Sequence, residues 1–171
     1  MEIRAGTAAD LDTVLALMDD AVAWLTAQGR TDQWGAEPFS GDEKKTEFIR
    51  KLVEAGDLFI AEIDGEPAGA LIVHEAPMPY VPPVEERELY VRLLVTSRRH
   101  KGQGIGAELV AFAREEARKR GIDLLRVDCY SGPDEKLVRF YESVGFTRTE
   151  RINVRDDIHV QVFEDRRSSA R

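Results

Sequence analysis

Cysteine is almost missing from this 171-residue chain: Cys129 stands alone, so no internal disulfide can form. Basic residues are outnumbered by acidic ones, 24 to 32, and the net charge of −8 argues against a general nucleic-acid binder. Long apolar runs are absent as well. No stretch approaches the roughly 18 residues of a membrane span, and no apolar run follows a basic cluster near Met1. Neither a membrane partner nor a signal peptide is expected, and a cytoplasmic protein is the default. The three histidines, His74, His100 and His159, have no metal-ligand spacing, and no metal is expected. Internal repeats and low-complexity linkers are also missing.

Apolar residues are present in quantity, at 43% of the chain. A domain of this length buries roughly 70% of the surface its unfolded form exposes, so its core needs neither metal nor disulfide. One domain over residues 1–165 is expected, with 166–171 a frayed polar tail. Charge is spread unevenly. Ser97 to Arg120 carries seven Arg or Lys against three Glu, a local +4 that leaves −12 for the rest. A basic island in an acidic protein points to a specific anionic ligand.

The periodicities give the element order. A short strand, Glu2 to Arg4, precedes a helix from Thr7 to Gly29 whose capping box pairs Thr7 with Asp10. Arg30 to Gly41 reads as a loop, and Asp42 to Ala55 as an amphipathic helix with Phe48, Ile49, Leu52 and Val53 inward. Leu58 to Ile63 and Ala68 to His74 flank Asp64-Gly65, the signal of a tight hairpin. Four prolines make Ala76 to Pro83 an irregular loop suited to lining a pocket. Strand Glu88 to Thr96, helix Ile105 to Arg120 and strand Leu124 to Tyr130 follow. Helix Asp134 to Val144 and a hairpin, Phe146 to Val154 with Ile158 to Phe163, complete the chain. This order predicts an α/β (α+β) mixed sheet with helices on its faces, in which only the strand–helix–strand unit requires a parallel pair.

That unit encloses Arg98-Arg99-His100-Lys101-Gly102-Gln103-Gly104-Ile105-Gly106. Alternated glycines let backbone N–H groups turn toward one point, and the helix that follows adds unpaired donors and partial positive charge. A diphosphate is the natural guest. Gly102-x-Gly104-x-x-Ala107 also satisfies the dinucleotide fingerprint, with Asp128 about 20 residues on as a ribose partner. Two features oppose that reading: five polar residues, Ser97 to Lys101, separate the strand from the first glycine, and there is only one strand–helix–strand unit. A nucleoside-triphosphate loop is excluded because Lys-Ser/Thr does not follow Gly106.

Lys101-Gly102-Gln103-Gly104-Ile105-Gly106 resembles the Q/R-x-x-G-x-G/A acetyl-CoA loop of the GNAT family of N-acetyltransferases, with Lys in the first place. Asp134-x-x-Leu137-x-x-Phe140-Tyr141-x-x-x-Gly145-Phe146 resembles that family's second signature, from which Asp134 and Leu137 depart. The resemblance covers nearly the whole chain. It implies a GNAT-like acyl-CoA N-acyltransferase fold: a mostly antiparallel central sheet, one splayed parallel pair, and helices on both faces. It further implies acetyl-CoA as cosubstrate, its diphosphate on the amides of Lys101, Gly102, Gln103, Gly104, Ile105 and Gly106. The pantetheine arm would pair with the strand at Leu94, Val95 and Thr96, with Asp134 alongside. Arg98, Arg99 or Arg139 would meet the 3′-phosphate.

The same resemblance implies direct transfer to a primary amine of a small molecule or protein, with Tyr141 as the general acid for the CoA sulfur. The spacing of Leu137, Tyr141 and Val144 also fits a core stripe. Tyr90 and Arg92 occupy strand positions where some relatives carry a base; Arg92 cannot be one. Glu88 is the candidate base, with Glu75 and His74 as alternatives. Trp34, Tyr80, Tyr90 and Arg92 are expected on the acceptor side, and Cys129 as a buried structural thiol. A non-catalytic acyl-CoA-binding domain is the alternative, and both monomer and homodimer are compatible with the sequence.

Overall fold

The hairpin anticipated at Asp64-Gly65 is present in a computed structural model that describes residues 1–132 and 134–167. Asp64 and Gly65 both take left-handed φ, 51° and 79°, as the tight turn between β2 (Asp57–Ile63) and β3 (Glu66–His74) requires. Seven strands form one mixed sheet in the order β1-β2-β3-β4-β5-β7-β6. The others are β1 (Glu2–Ala5), β4 (Glu88–Thr96), β5 (Leu124–Tyr130), β6 (Thr147–Arg155) and β7 (Ile158–Arg166). The helices are α1 (Leu11–Ala27), α2 (Glu43–Ala55), α3 (Ile105–Lys119) and α4 (Lys136–Ser143). Among the described residues no helix is long and apolar enough to cross a membrane. The chain divides into two compact units, Met1–Val73 with Leu93–Leu109, and His74–Arg92 with Val110–Arg171.

In the first unit the expected capping box is present: Thr7 Oγ1 accepts from the Ala9 amide at 3.2 Å, and Asp10 Oδ2 from the Thr7 amide at 2.8 Å. It starts a 3₁₀ turn, Ala8–Asp10, that leads into α1. Asp42 caps α2 by accepting from the amides of Lys44 and Lys45. Val14, Met18 and Val22 of α1, Ile49 and Leu52 of α2, and Ile60 and Leu71 of the sheet are buried. Phe48 departs from expectation. It lies at the edge of the apolar stripe set by Ile49, Leu52 and Val53, and is 41% exposed. On β3, a Cβ at Gly69 would lie 3.0 Å from Leu109 Cδ1, 3.1 Å from Ile105 Cγ2 and 3.1 Å from the Val95 carbonyl. Glycine there lets the first turns of α3 settle directly on the strand.

The second unit contains the parallel pair. Its register runs from Glu88↔Leu124 to Val91↔Val127. β5 then pairs antiparallel with β7, and β7 with β6. Leu89, Val91, Leu124, Val127, Val138, Phe146 and Phe163 form the buried interior. Some boundaries move in this unit. α4 starts at Lys136 instead of Asp134, because Glu135 takes a left-handed φ of 51°. β7 runs to Arg166, past its expected end at Phe163. Arg166 pairs with Glu86 at 2.7 Å, and Arg167 with Asp123 at 3.0 Å, while residues 168–171 lie outside the described ones.

Candidate active site

The glycine loop belongs to the first unit. Ser97 follows β4, donates its amide to the Ala68 carbonyl at 2.8 Å, and accepts from the Arg99 amide through its hydroxyl. A 3₁₀ turn, Arg98–His100, follows. The amides of Lys101 and Gln103 close turns onto the carbonyls of Arg98 and His100, at 3.3 and 3.2 Å. Those two donors serve the loop itself. Gly102 and Gly104 take φ of +84° and +71°, with open space where a Cβ would stand. The first α3 ladder bond runs from the Glu108 amide to the Gly104 carbonyl. The amides of Ile105, Gly106 and Ala107 therefore precede the ladder as the outward donors of a helix N-terminus. Arg99 and Lys101 are exposed, and the Arg98 guanidinium stacks on Trp24 at 3.8 Å. His100 Nε2 and Arg98 Nε are buried without a hydrogen-bond partner. An open glycine cradle, outward helix donors and excess cationic charge fit the diphosphate of an acyl-CoA. Leu94 and Thr96 fall on the half-exposed side of β4, and Leu93 and Val95 on its buried side.

Trp34, expected to meet an acceptor, packs edge-on against Phe39 at 5.7 Å, and its carbonyl accepts from Lys45 Nζ at 3.1 Å. Its position is explained by this local cluster.

The second unit holds a polar sheet face. Side chains alternate along a strand, so Glu88, Tyr90 and Arg92 share one face of β4 and Arg126, Asp128 and Tyr130 one face of β5. The pairing Tyr90↔Arg126 makes these the same face. Glu88 receives both arms of Arg126, at 3.0 and 2.8 Å, with the two side chains only 4% and 6% exposed. Arg126 also donates to the Pro82 carbonyl at 3.2 Å, and its guanidinium lies 5.5 Å from the Tyr90 ring centre. Glu88, the expected base, is thus buried in a bidentate ion pair, and giving it a substrate proton would break that pair. Arg92 donates to the carbonyls of Ala76 and Pro77, at 3.0 and 2.8 Å. Both arginines pin the proline-rich loop. Glu75, an alternative base, is held by Arg87 at 2.7 Å, which keeps its carboxyl below the usual range.

That loop brings Tyr80 over Asp128. The Tyr80 hydroxyl donates to Oδ1 at 2.8 Å, and the Tyr90 hydroxyl donates to Oδ2. Tyr80 is 39% exposed, whereas Tyr90 is fully buried. Burial raises the Asp128 carboxyl above its ordinary value of 3.8, opposed by the two tyrosine hydrogen bonds and by Arg126. Sequence reasoning met Asp128 only within the dinucleotide fingerprint and did not place it on this face; the signal for that was the polar alternation shared by the two strands. Next to it, burial pushes the Cys129 thiol up to about 12, consistent with a protonated structural cysteine.

Tyr141, on α4, is 5% exposed and meets Phe140, Phe146 and Phe163 at ring separations of 5.0, 5.8 and 5.5 Å. Burial raises its phenol, and the Asp128 charge adds to the rise, so it keeps the proton. Asp134 accepts from the Lys136 amide at 3.2 Å, at the entry to α4, and Arg139 is exposed on that helix.

Residues 17–146 match the acetyltransferase (GNAT) family. The chain belongs to that family. The GNAT match spans both the glycine loop and Tyr141. The uncharacterized N-acetyltransferase YesJ of Bacillus subtilis is 27% identical over 144 residues, 80% of this chain and 76% of YesJ. A GNAT-family acetyltransferase structure from Listeria monocytogenes superposes with a TM-score of 0.73 at 20% identity, covering 96% of this chain and 94% of that one. The structure of yncA of Salmonella typhimurium, with its cofactor acetyl-CoA, gives 0.65 at 16% identity over 99% and 95% of the two chains. The seven-stranded sheet with its single parallel β4–β5 pair is thus the GNAT fold.

Proposed function

We propose that this GNAT acetyltransferase transfers the acetyl group of acetyl-CoA directly to a primary amine of a small molecule or a protein. The observation that carries this reading is the open glycine turn at the start of α3, where Gly102 and Gly104 hold positive φ beside outward helix donors. The presence of acetyl-CoA in the yncA structure supports the same cosubstrate. Bound acetyl-CoA would supply the activated thioester. The amides of Gly102, Gly104, Ile105 and Gly106 would hold its diphosphate, with Lys101, Arg99 and Arg139 balancing phosphate charge. The strand backbone at Leu94 to Thr96 would align the pantetheine arm. Tyr141, kept protonated by burial, would donate to the departing sulfur. An acceptor that arrives as an ammonium must lose a proton before attack, and Glu88 is already paired with Arg126.

Thiol release from acetyl-CoA with a panel of alkyl and aryl amines tests the proposal, and turnover with at least one amine is the expected result. Tight CoA binding with no turnover across the panel would favour the non-catalytic acyl-CoA-binding alternative. Gly104→Trp places a bulky side chain at a φ of +71° and should abolish CoA binding. Undiminished binding by that variant would refute the loop assignment.

A further inference from the structure

We propose that Asp128 is the acceptor-binding carboxylate, which grips the ammonium of a cationic primary amine and takes its proton before attack; this rests on the transfer reading above. The polar face of β4 and β5 contains two arginines, and both are spent: Arg126 on Glu88 and the Pro82 carbonyl, Arg92 on the carbonyls of Ala76 and Pro77. Asp128 has only hydroxyl partners among the described residues, one on each oxygen. Each oxygen keeps a lone pair, and no cation is in ion-pair contact with it. A half-buried anion with no cation in contact is costly to keep, and a cationic ligand reduces that cost. Position supports the role. Asp128 lies one residue beyond Val127, the last β5 residue in the parallel register, and its roof is the exposed Tyr80 of the proline-rich loop.

The chemistry balances. The ammonium gives one proton to Asp128, and the neutral nitrogen forms its bond to the acetyl carbonyl carbon. The C–S bond breaks with its electron pair on sulfur, the nitrogen loses its surplus proton, and the sulfur gains one. Amide, thiol and one released proton therefore account for the ammonium and thioester consumed.

The test uses the full chain and whichever alkylamine of the panel is turned over, 1,4-diaminobutane and Nα-acetyl-lysine amide among them. Asp128→Asn should lower kcat/KM for the amine by about 100-fold or more, leave acetyl-CoA affinity unchanged, and remove the acidic limb of the pH profile. The groups facing this carboxylate are Tyr80 from the loop, Tyr90 from β4 and Arg126 on its own strand, with Cys129 and Tyr141 feeling its charge. Tyr80→Phe removes a hydrogen bond that favours the charged form, so the acidic limb should move to higher pH. This second variant keeps the test valid if Asp128→Asn folds poorly. An Asp128→Asn enzyme with wild-type kcat/KM, or an acidic limb unmoved by Tyr80→Phe, would overturn the assignment. Wild-type protein that turns over no amine would instead defeat the transfer reading beneath it.

Discussion

The phenol of Tyr141 is the residue on which two readings diverge. Three phenylalanine rings surround it, and that packing alone accounts for an aromatic side chain at this point of α4. Tyr141→Phe removes the hydroxyl and keeps the ring. If Tyr141 protonates the sulfur, kcat should fall about 100-fold while Tm changes little, measured by thiol release and thermal unfolding. Full turnover at every pH would leave Tyr141 as a core residue only. The sequence located this residue through its motif, whereas Asp128 entered only through a dinucleotide fingerprint that the fold does not use. Alternation along β4 and β5 places Glu88, Arg92 and Asp128 on polar positions. It cannot say that Arg126 will occupy Glu88, or that two tyrosines from different segments will meet on one carboxylate. Partner choice depends on strand register and on a loop conformation, both of which are tertiary.

Among the elements, those set by local chemistry were legible. Asp64-Gly65 specified a hairpin, Thr7 with Asp10 a capping box, and Asp42 the start of α2, because each signal is complete within a few residues. The start of α4 was not, since no rule places Glu135 in left-handed φ, and the length of β7 depends on pairing with β5 across distant sequence. Gly69 carries a consequence for the glycine loop. It sits on β3 under Ile105 and Leu109, so the α3 N-terminus stands as close to the strand as a missing side chain allows. Gly69→Val would push against two apolar side chains and the Val95 carbonyl, an overpacking that typically costs about 1–3 kcal/mol. We expect a lowered Tm and weaker CoA binding together, because the same contacts place the donors of Ile105 and Gly106. A lower Tm with unchanged CoA affinity would separate α3 placement from binding.

Over the whole chain, acidity acts on stability with two opposite signs. Asp10, Glu75, Glu86, Glu115 and Glu142 are held below their ordinary values of 3.8 or 4.5, each chiefly by a hydrogen bond from an arginine. A depressed folded-state pKa contributes stability above the unfolded value and loses it as pH falls through the folded one. These pairs are at the surface, so each contributes little and the loss is confined to acid below the ordinary range. Asp128 works the other way. Its raised carboxyl costs nothing below 3.8, and the cost develops as pH rises through its folded-state pKa. Wild-type Tm should therefore drop below about pH 4.5, where the surface carboxylates protonate. The Tm of Asp128→Asn relative to wild type should instead increase as pH rises above about 4, since the amide never charges. A difference independent of pH would mean that the Asp128 carboxylate is not desolvated in the folded chain. A rising difference, joined to lost amine turnover in the same variant, would show stability given up at the position that binds the acceptor.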